Sequence, residues 1–383
     1  MRVKTILTVI AIVLLAACSG PTTAPPDTGP IPEASPPSSA VPDVEVVPSP
    51  TAWPTPASVP SPEALPAGAG VSEYPVTTIP LSGPVDSPDA EVSGLAWYGD
   101  YLIFLPQYPD FAPSEGDGTV YALDRADILA FLDGVTAGPL EPLPIPFSAP
   151  GLARSIDDFE GYEAIAFAGD RAFLTIEASP GREMRGYLVS GTMAPDLSGL
   201  ALDTTTVAEI RPQAGVGNKS DEALLVAGDK VVTLYEVNGA ALNPAPVAHL
   251  FDASLAPGGT VAFPNVEYRI TDATALDEQG RFWATNFFFP LEREQLAETD
   301  PLVERYGEGA SHLKSDVVER LVEFQYSEGD ITLVDAPPIQ IELLPLAARN
   351  WEGLVRLDGR GFLLVTDLFP GTILGFVPLP EER

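Results

Sequence analysis

Four acidic residues recur at matching places along the chain: Glu163, Glu222, Asp272 and Glu352. Each opens an apolar run, followed by a tight-turn dipeptide and a second apolar run. Each has an oxygen-bearing partner where the second run ends: Glu177, Glu236, Asn286 and Asp367. Ser93 and Gln107 make a fifth pair of the same kind. Carboxylates brought close together repel, and they hold protons above their ordinary range unless a cation neutralises them. A ligand set of oxygens without histidine or cysteine suits calcium better than zinc or copper. The expected metal ligands are therefore Glu163, Glu222, Asp272 and Glu352. The competing reading is structural: these residues cap strand ends and bond to the backbone of neighbouring elements.

Cations follow the same period. Lys219, Arg269 and Arg349 stand three residues ahead of Glu222, Asp272 and Glu352. They either pair with carboxylates of an adjacent unit or bind a small anionic group, to which arginine offers bidentate contacts. Other chemistry is sparse. There is no Gly-x-Ser-x-Gly elbow and no His-Glu-x-x-His motif. Residues 215–220 lack the spacing of a phosphate loop. The chain has two histidines, His249 in an apolar run and His312 in a polar segment read as exposed. A multi-histidine metal centre is excluded, and a Ser-His-Asp triad is not expected. With 20 Lys and Arg against 54 Asp and Glu, the formal charge is −34. That excludes nucleic-acid binding through a basic surface.

The elements that must carry these residues are β-hairpins. The units begin at Ser93, Glu163, Glu222, Asp272 and Glu352, and each turns at Gly-Asp, Gln-Gly or Asp-Gly. The spacing leaves room for two further strands per unit. An all-β fold follows, a β-propeller of four-stranded blades. Five blades fit the repeats, and six remain open because the 80-residue interval before Glu352 could hide one more. The last unit has only one further strand, Thr372–Pro378, so a strand at Tyr74–Leu81 is expected to complete it and close the ring. Helices are expected only at Arg125–Leu132 and Leu291–Tyr306. The first strand of each blade lies innermost and runs away from one face, the mouth, to which the second strand returns. Each opening residue thus meets its partner at the mouth. Long connections cross the same face, and residues 287–316 could form a lid there.

The motifs that open the units carry a resemblance. They are Ser93-Gly94-Leu95, Phe159-Glu160-Gly161, Asn218 to Leu224, and Asn350-Trp351-Glu352-Gly353-Leu354. Their order and spacing resemble those of the phytase-like and SdiA-regulated β-propellers over most of residues 85–383. Ala164 and Ala223 depart from the family's glycines, and the fourth unit lacks its glutamate. The resemblance implies a propeller, a phytase or esterase analogy, and in some relatives calcium in the central channel. Fold likeness does not by itself carry an activity.

The N-terminus reads as an export signal. Arg2 and Lys4 precede an apolar stretch, Ile6 to Leu15, and then Leu15-Ala16-Ala17-Cys18. This looks like a bacterial lipobox ending at Cys18, the only cysteine, which would carry the acyl chains that hold the protein on a membrane. Residues 19–70 contain 15 prolines and no Lys or Arg. Such a segment cannot bury enough apolar surface to fold, and proline stiffens it. The expected organisation is a signal over 1–18, a Pro-rich tether over 19–72 and a propeller over 73–383. The expected location is the outer side of a bacterial membrane, and a monomer is expected. Two function classes follow. One is a calcium-assisted phosphoester or ester hydrolase. The other is a non-catalytic module that binds a ligand or protein at the cell surface.

Overall fold

The computed structural model describes residues 71–380 apart from 115, 346 and 369. The expected signal, Cys18 and nearly all of the tether lie outside the described residues. Two short strands come first, β1 (Glu73–Tyr74) and β2 (Thr77–Ile79). Blade 1 is β3 (Val92–Tyr98), β4 (Tyr101–Pro106), β5 (Thr119–Asp124) and β6 (Leu143–Ser148). Blade 2 is β7 (Phe159–Ala168), β8 (Arg171–Ala178), β9 (Arg185–Met193) and β10 (Leu200–Ile210). Blade 3 is β11 (Asp221–Ala227), β12 (Lys230–Tyr235), β13 (Val247–Asp252) and β14 (Pro257–Ala262). Blade 4 has β15 (Arg281–Phe288), β16 (Val318–Tyr326), β17 (Ile331–Leu333) and β18 (Ile339–Ile341). Blade 5 has β19 (Trp351–Leu357), β20 (Gly361–Thr366) and β21 (Leu374–Pro378).

The chain is therefore a five-bladed β-propeller, and the interval before Glu352 holds no sixth blade. In blades 1, 2, 3 and 5 the strands pair antiparallel in chain order, whereas in blade 4 β16 pairs with β15 and then with both β17 and β18. β2 pairs antiparallel with β21, which supplies the strand that blade 5 lacks. The N-terminal segment also does something the sequence reading did not foresee: β1 pairs parallel with β18 of blade 4. One short stretch thus ties two blades, as a closed ring without disulfides requires. The outer strands of blades 1 and 2 also meet, β6 pairing parallel with β10, so neither leaves a bare edge there.

Blade 4 is the irregular one. Its innermost segment makes no regular strand and is held by a bridge of Ala273 to Ala284 and by the Thr274 N–H donating to the Trp283 carbonyl (2.8 Å). The helix at Arg125–Leu132 forms as expected, with Asp124 as its N-cap. The second expected helix is shorter. A 3-10 turn covers Arg293–Gln295, and α-helix is confined to Pro301–Tyr306. Proline cannot sit in a helix interior, so Pro301 starts a new helix, with Asp300 accepting the Leu302 N–H as its cap.

Apolar side chains fill the spaces between blades. One cluster joins blades 1 and 2 through Ile103, Phe147, Ile165 and Leu174. A second joins blades 5 and 1 through Leu95, Phe104, Val355 and Leu363. Close approach of inner strands explains one motif glycine. A Cβ at Gly353 would lie 2.6 Å from Val365 and 2.7 Å from Leu95.

Candidate functional site

Inner strands β3, β7, β11 and β19, with residues 271–274 in blade 4, surround the central channel. Ladder register shifts at the opening residue of four blades: between Val92 and Gly94, Tyr162 and Ile165, Asp221 and Ala223, and Trp351 and Gly353. A bulge adds a residue to one strand and re-aims its side chain. Ser93, Glu163, Glu222 and Glu352 occupy these bulges. The apolar runs of the repeats carry no sign of them.

Glu163, Glu177, Glu222, Glu236, Glu352 and Asp367 are gathered into one network. Glu292, from the insertion between β15 and β16, reaches the same place. Among the described residues two cations enter it. Arg269 lies against Glu236 through Nε, against Glu222 Oε2 at 3.0 Å and Glu352 Oε1 at 3.3 Å through Nη2, and within 3.5 Å of Glu292 Oε1 through Nη1. Lys219 Nζ is 3.2 Å from Glu292 Oε1 and 3.7 Å from Glu236 Oε2. Amides contribute as well. Gln107 Nε2 donates to Glu163 (3.0 Å), and Asn350 Nδ2 donates to Glu352 (2.6 Å).

Seven carboxylates around two cations leave a surplus of negative charge in a buried place. Burial, with the charge of Glu236, pushes Glu177 up to about 7. Burial and Asp367 push Glu352 up to about 8. Burial also raises Glu163, reinforced by Glu177, and raises Glu222 although Arg269 opposes the shift. Burial raises Asp367 too. Glu236 alone moves the other way: burial works against its charge, but Arg269 and Lys219 outweigh burial. Oxygens of Glu177, Glu222 and Glu236, one from each, lie within 4.8 Å of one another. Glu177 Oε1 and Glu236 Oε1 are buried and have no hydrogen-bond partner among the described residues. The Ser220 hydroxyl stands beside Glu177, also without a partner in hydrogen-bond geometry. Such a donor set, all oxygen and short of positive charge, fits a hard divalent cation.

The remaining expected site residues are placed differently. Asp272 is spent on backbone: its Oδ2 accepts the Leu354 N–H (2.6 Å) and its Oδ1 the Ala273 N–H (2.7 Å). It straps blade 4 to blade 5. Ser93 does the like between blades 1 and 2, donating to the Tyr162 carbonyl (2.6 Å). Arg349 stands apart from Arg269 and Lys219. It is buried against Glu319, with Nε and Nη2 each 2.8 Å from Oε2, and it lies over the ring of Trp351. Trp351 Nε1 donates to the same carboxylate (2.8 Å). His249 bonds Asp221 at 3.4 Å. His312, read as exposed, is buried. Its Nδ1 lies 2.9 Å from Glu73 Oε1, and its Nε2 accepts the Glu319 N–H (3.3 Å), because the β1 segment folds over it. Glu319 and Glu292 escaped the sequence reading because neither occupies a repeat position.

No protein-family model and no curated protein matches this chain. Solved structures that resemble it include a putative glycoside hydrolase from Parabacteroides distasonis, 12% identical over 80% of this chain and 95% of that one, with a TM-score of 0.42. An exo-1,5-alpha-L-arabinanase from a bovine ruminal metagenomic library is 9% identical over 79% and 97%, at 0.42. The catalytic domain of a Coprinopsis cinerea GH62 alpha-L-arabinofuranosidase is 9% identical over 80% and 97%, at 0.40. The propeller itself is established by the chain's own strand pairings.

Proposed function

We propose that this chain is a lipid-anchored propeller of the bacterial cell envelope whose channel mouth is a calcium-dependent site of phosphoester or ester hydrolysis, of the phytase-like type. The observation that carries the reading is the buried set Glu177, Glu222 and Glu236, short of positive charge and with two unpartnered oxygens. These three residues would hold the cation. A bound calcium ion would supply polarisation of a phosphoryl or carbonyl oxygen. The chain's own groups have separable roles. Arg269 holds Glu222, Glu236 and Glu352 in register around the mouth. Glu352, which burial and Asp367 push up to about 8, carries a proton at neutral pH and can donate it to a leaving oxygen, and burial shifts Glu163 in the same direction. The lipobox at Cys18 and the Pro-rich tether support presentation of the monomeric domain away from the membrane.

The test is a panel of phosphoester and carboxylic ester substrates on the purified full-length protein, with calcium and after its removal. The expected result is turnover that depends on calcium and falls at least tenfold in Glu177→Gln. Calcium-dependent stabilisation without turnover of any substrate would instead establish the non-catalytic binding module.

A further inference from the structure

The cations that the repeats single out are occupied with carboxylates, yet three other arginines collect on the mouth face. A groove of about 410 Å³ runs between the β8–β9 connection of blade 2 and the β10–β11 connection leading into blade 3. Arg182, Arg185 and Arg211 line it, together with one acid, Glu183, and residues 214–217. The chain has 20 Lys and Arg in all against 54 acids, so three guanidinium groups beside one carboxylate on one groove run against its overall charge. Arg185 is paired, its Nη1 2.8 Å from Glu209 and its Nη2 3.0 Å from Glu183. No ion pair to Arg182 or Arg211 is found among the described residues.

A second observation concerns the backbone. Arg182 has φ +75°, in the left-handed region that a side chain other than Gly, Asn or Asp seldom adopts. It follows Gly181, at φ +62°, whose N–H donates to Asp158 (3.3 Å). Glycine would adopt both conformations freely. An arginine in that conformation bears backbone strain, and such strain clusters at ligand-binding sites.

We propose that Arg182, Arg185 and Arg211 form an anion-binding groove that takes a multiply charged oxyanion, phosphate or carboxylate. The guanidinium fork matches either group bidentately. The same β10–β11 connection carries Lys219 of the carboxylate network. The proposal deepens the reading of that mouth by naming the charge of what approaches it, and it rests on that reading only for the groove's relevance to a reaction.

The experiment is calorimetric titration of the full-length protein in detergent and calcium-free buffer, with pyrophosphate in one series and citrate in another. Binding of at least one anion, weakened by added sodium chloride, is expected. Pyrophosphate alone would assign a phosphorylated ligand, and citrate alone a carboxylated one. Arg182→Gly should weaken binding at least tenfold while melting temperature holds or rises, since glycine relieves the backbone. Arg211→Gln should weaken it comparably. Absence of binding by both anions, or less than a twofold change in both variants, would overturn the proposal. Calcium is excluded throughout, so failure of the calcium centre would leave this result readable.

Discussion

Two buried clusters lie near each other on the mouth side, and they are built on opposite principles. Around Arg349 one guanidinium meets one carboxylate, Glu319, which also accepts from Trp351 and from the Arg349 N–H (2.9 Å). Around Arg269 and Lys219 seven carboxylates gather, and buried oxygens go without partners. Their arginines, Arg269 and Arg349, stand at equivalent repeat positions. A balanced pair of this kind serves to join blades 4 and 5. An unbalanced cluster stores repulsion unless protons or a cation enter it, so it is the one suited to binding. Charge stoichiometry, rather than the presence of charge, separates the two.

The largest expected effect breaks the balanced cluster. Arg349→Ala leaves Glu319 buried without its counterion, and breaking such a pair costs up to about 3–5 kcal/mol. Chemical denaturation should show that loss equally with and without calcium. A loss seen only in the presence of calcium would assign Arg349 to the mouth after all.

The next effect sharpens the other side. Calcium at a hundredfold excess over its Kd should stabilise the protein by about 2.7 kcal/mol. Glu177→Gln should abolish that gain and, by relieving repulsion, hold or raise stability in calcium-free buffer. Thermal melts of the two proteins in both buffers check this. A melting temperature indifferent to calcium would leave the cluster to protons alone.

The smallest effect is a pH dependence. Glu177, at about 7, and Glu352, at about 8, titrate above an unfolded glutamate's ordinary value near 4.5. The folded state therefore binds more protons than the unfolded state over this range, and stability is lost as pH rises from that value through the folded pKa. Between pH 7 and 8 the calcium-free protein should lose up to about 1.4 kcal/mol for each proton released. Calcium should flatten the slope, since it replaces those protons. Denaturation curves at pH 6, 7 and 8 measure it, and stability that rises with pH would contradict the shifts.

Much of this molecule is legible in its residues. The hairpins recur as apolar run, Gly-Asp or its like, and apolar run. The missing fourth strand of blade 5 has an evident donor in residues 74–81, and an acid opens four of the five repeats. These are local or periodic features, and local physics writes them directly into sequence. The division of the acids between roles is not local. Asp272 and Glu222 look alike in the repeat, yet backbone N–H groups of two blades satisfy Asp272, while Glu222 meets Arg269 and Glu236. Arg269 and Arg349 are equally alike, yet Arg349 finds Glu319, a residue of no repeat, and Arg269 finds four carboxylates. The bulges that aim Glu222 and Glu352, the Glu292 that reaches in from the insertion, and the arginines of residues 182–211 have no shared period. The sequence by itself determined which residues could carry charge and which strands would present them. Only the closed ring decided which charges are balanced, because burial and the number of counterions within a few ångströms are properties of neighbours brought together from five blades.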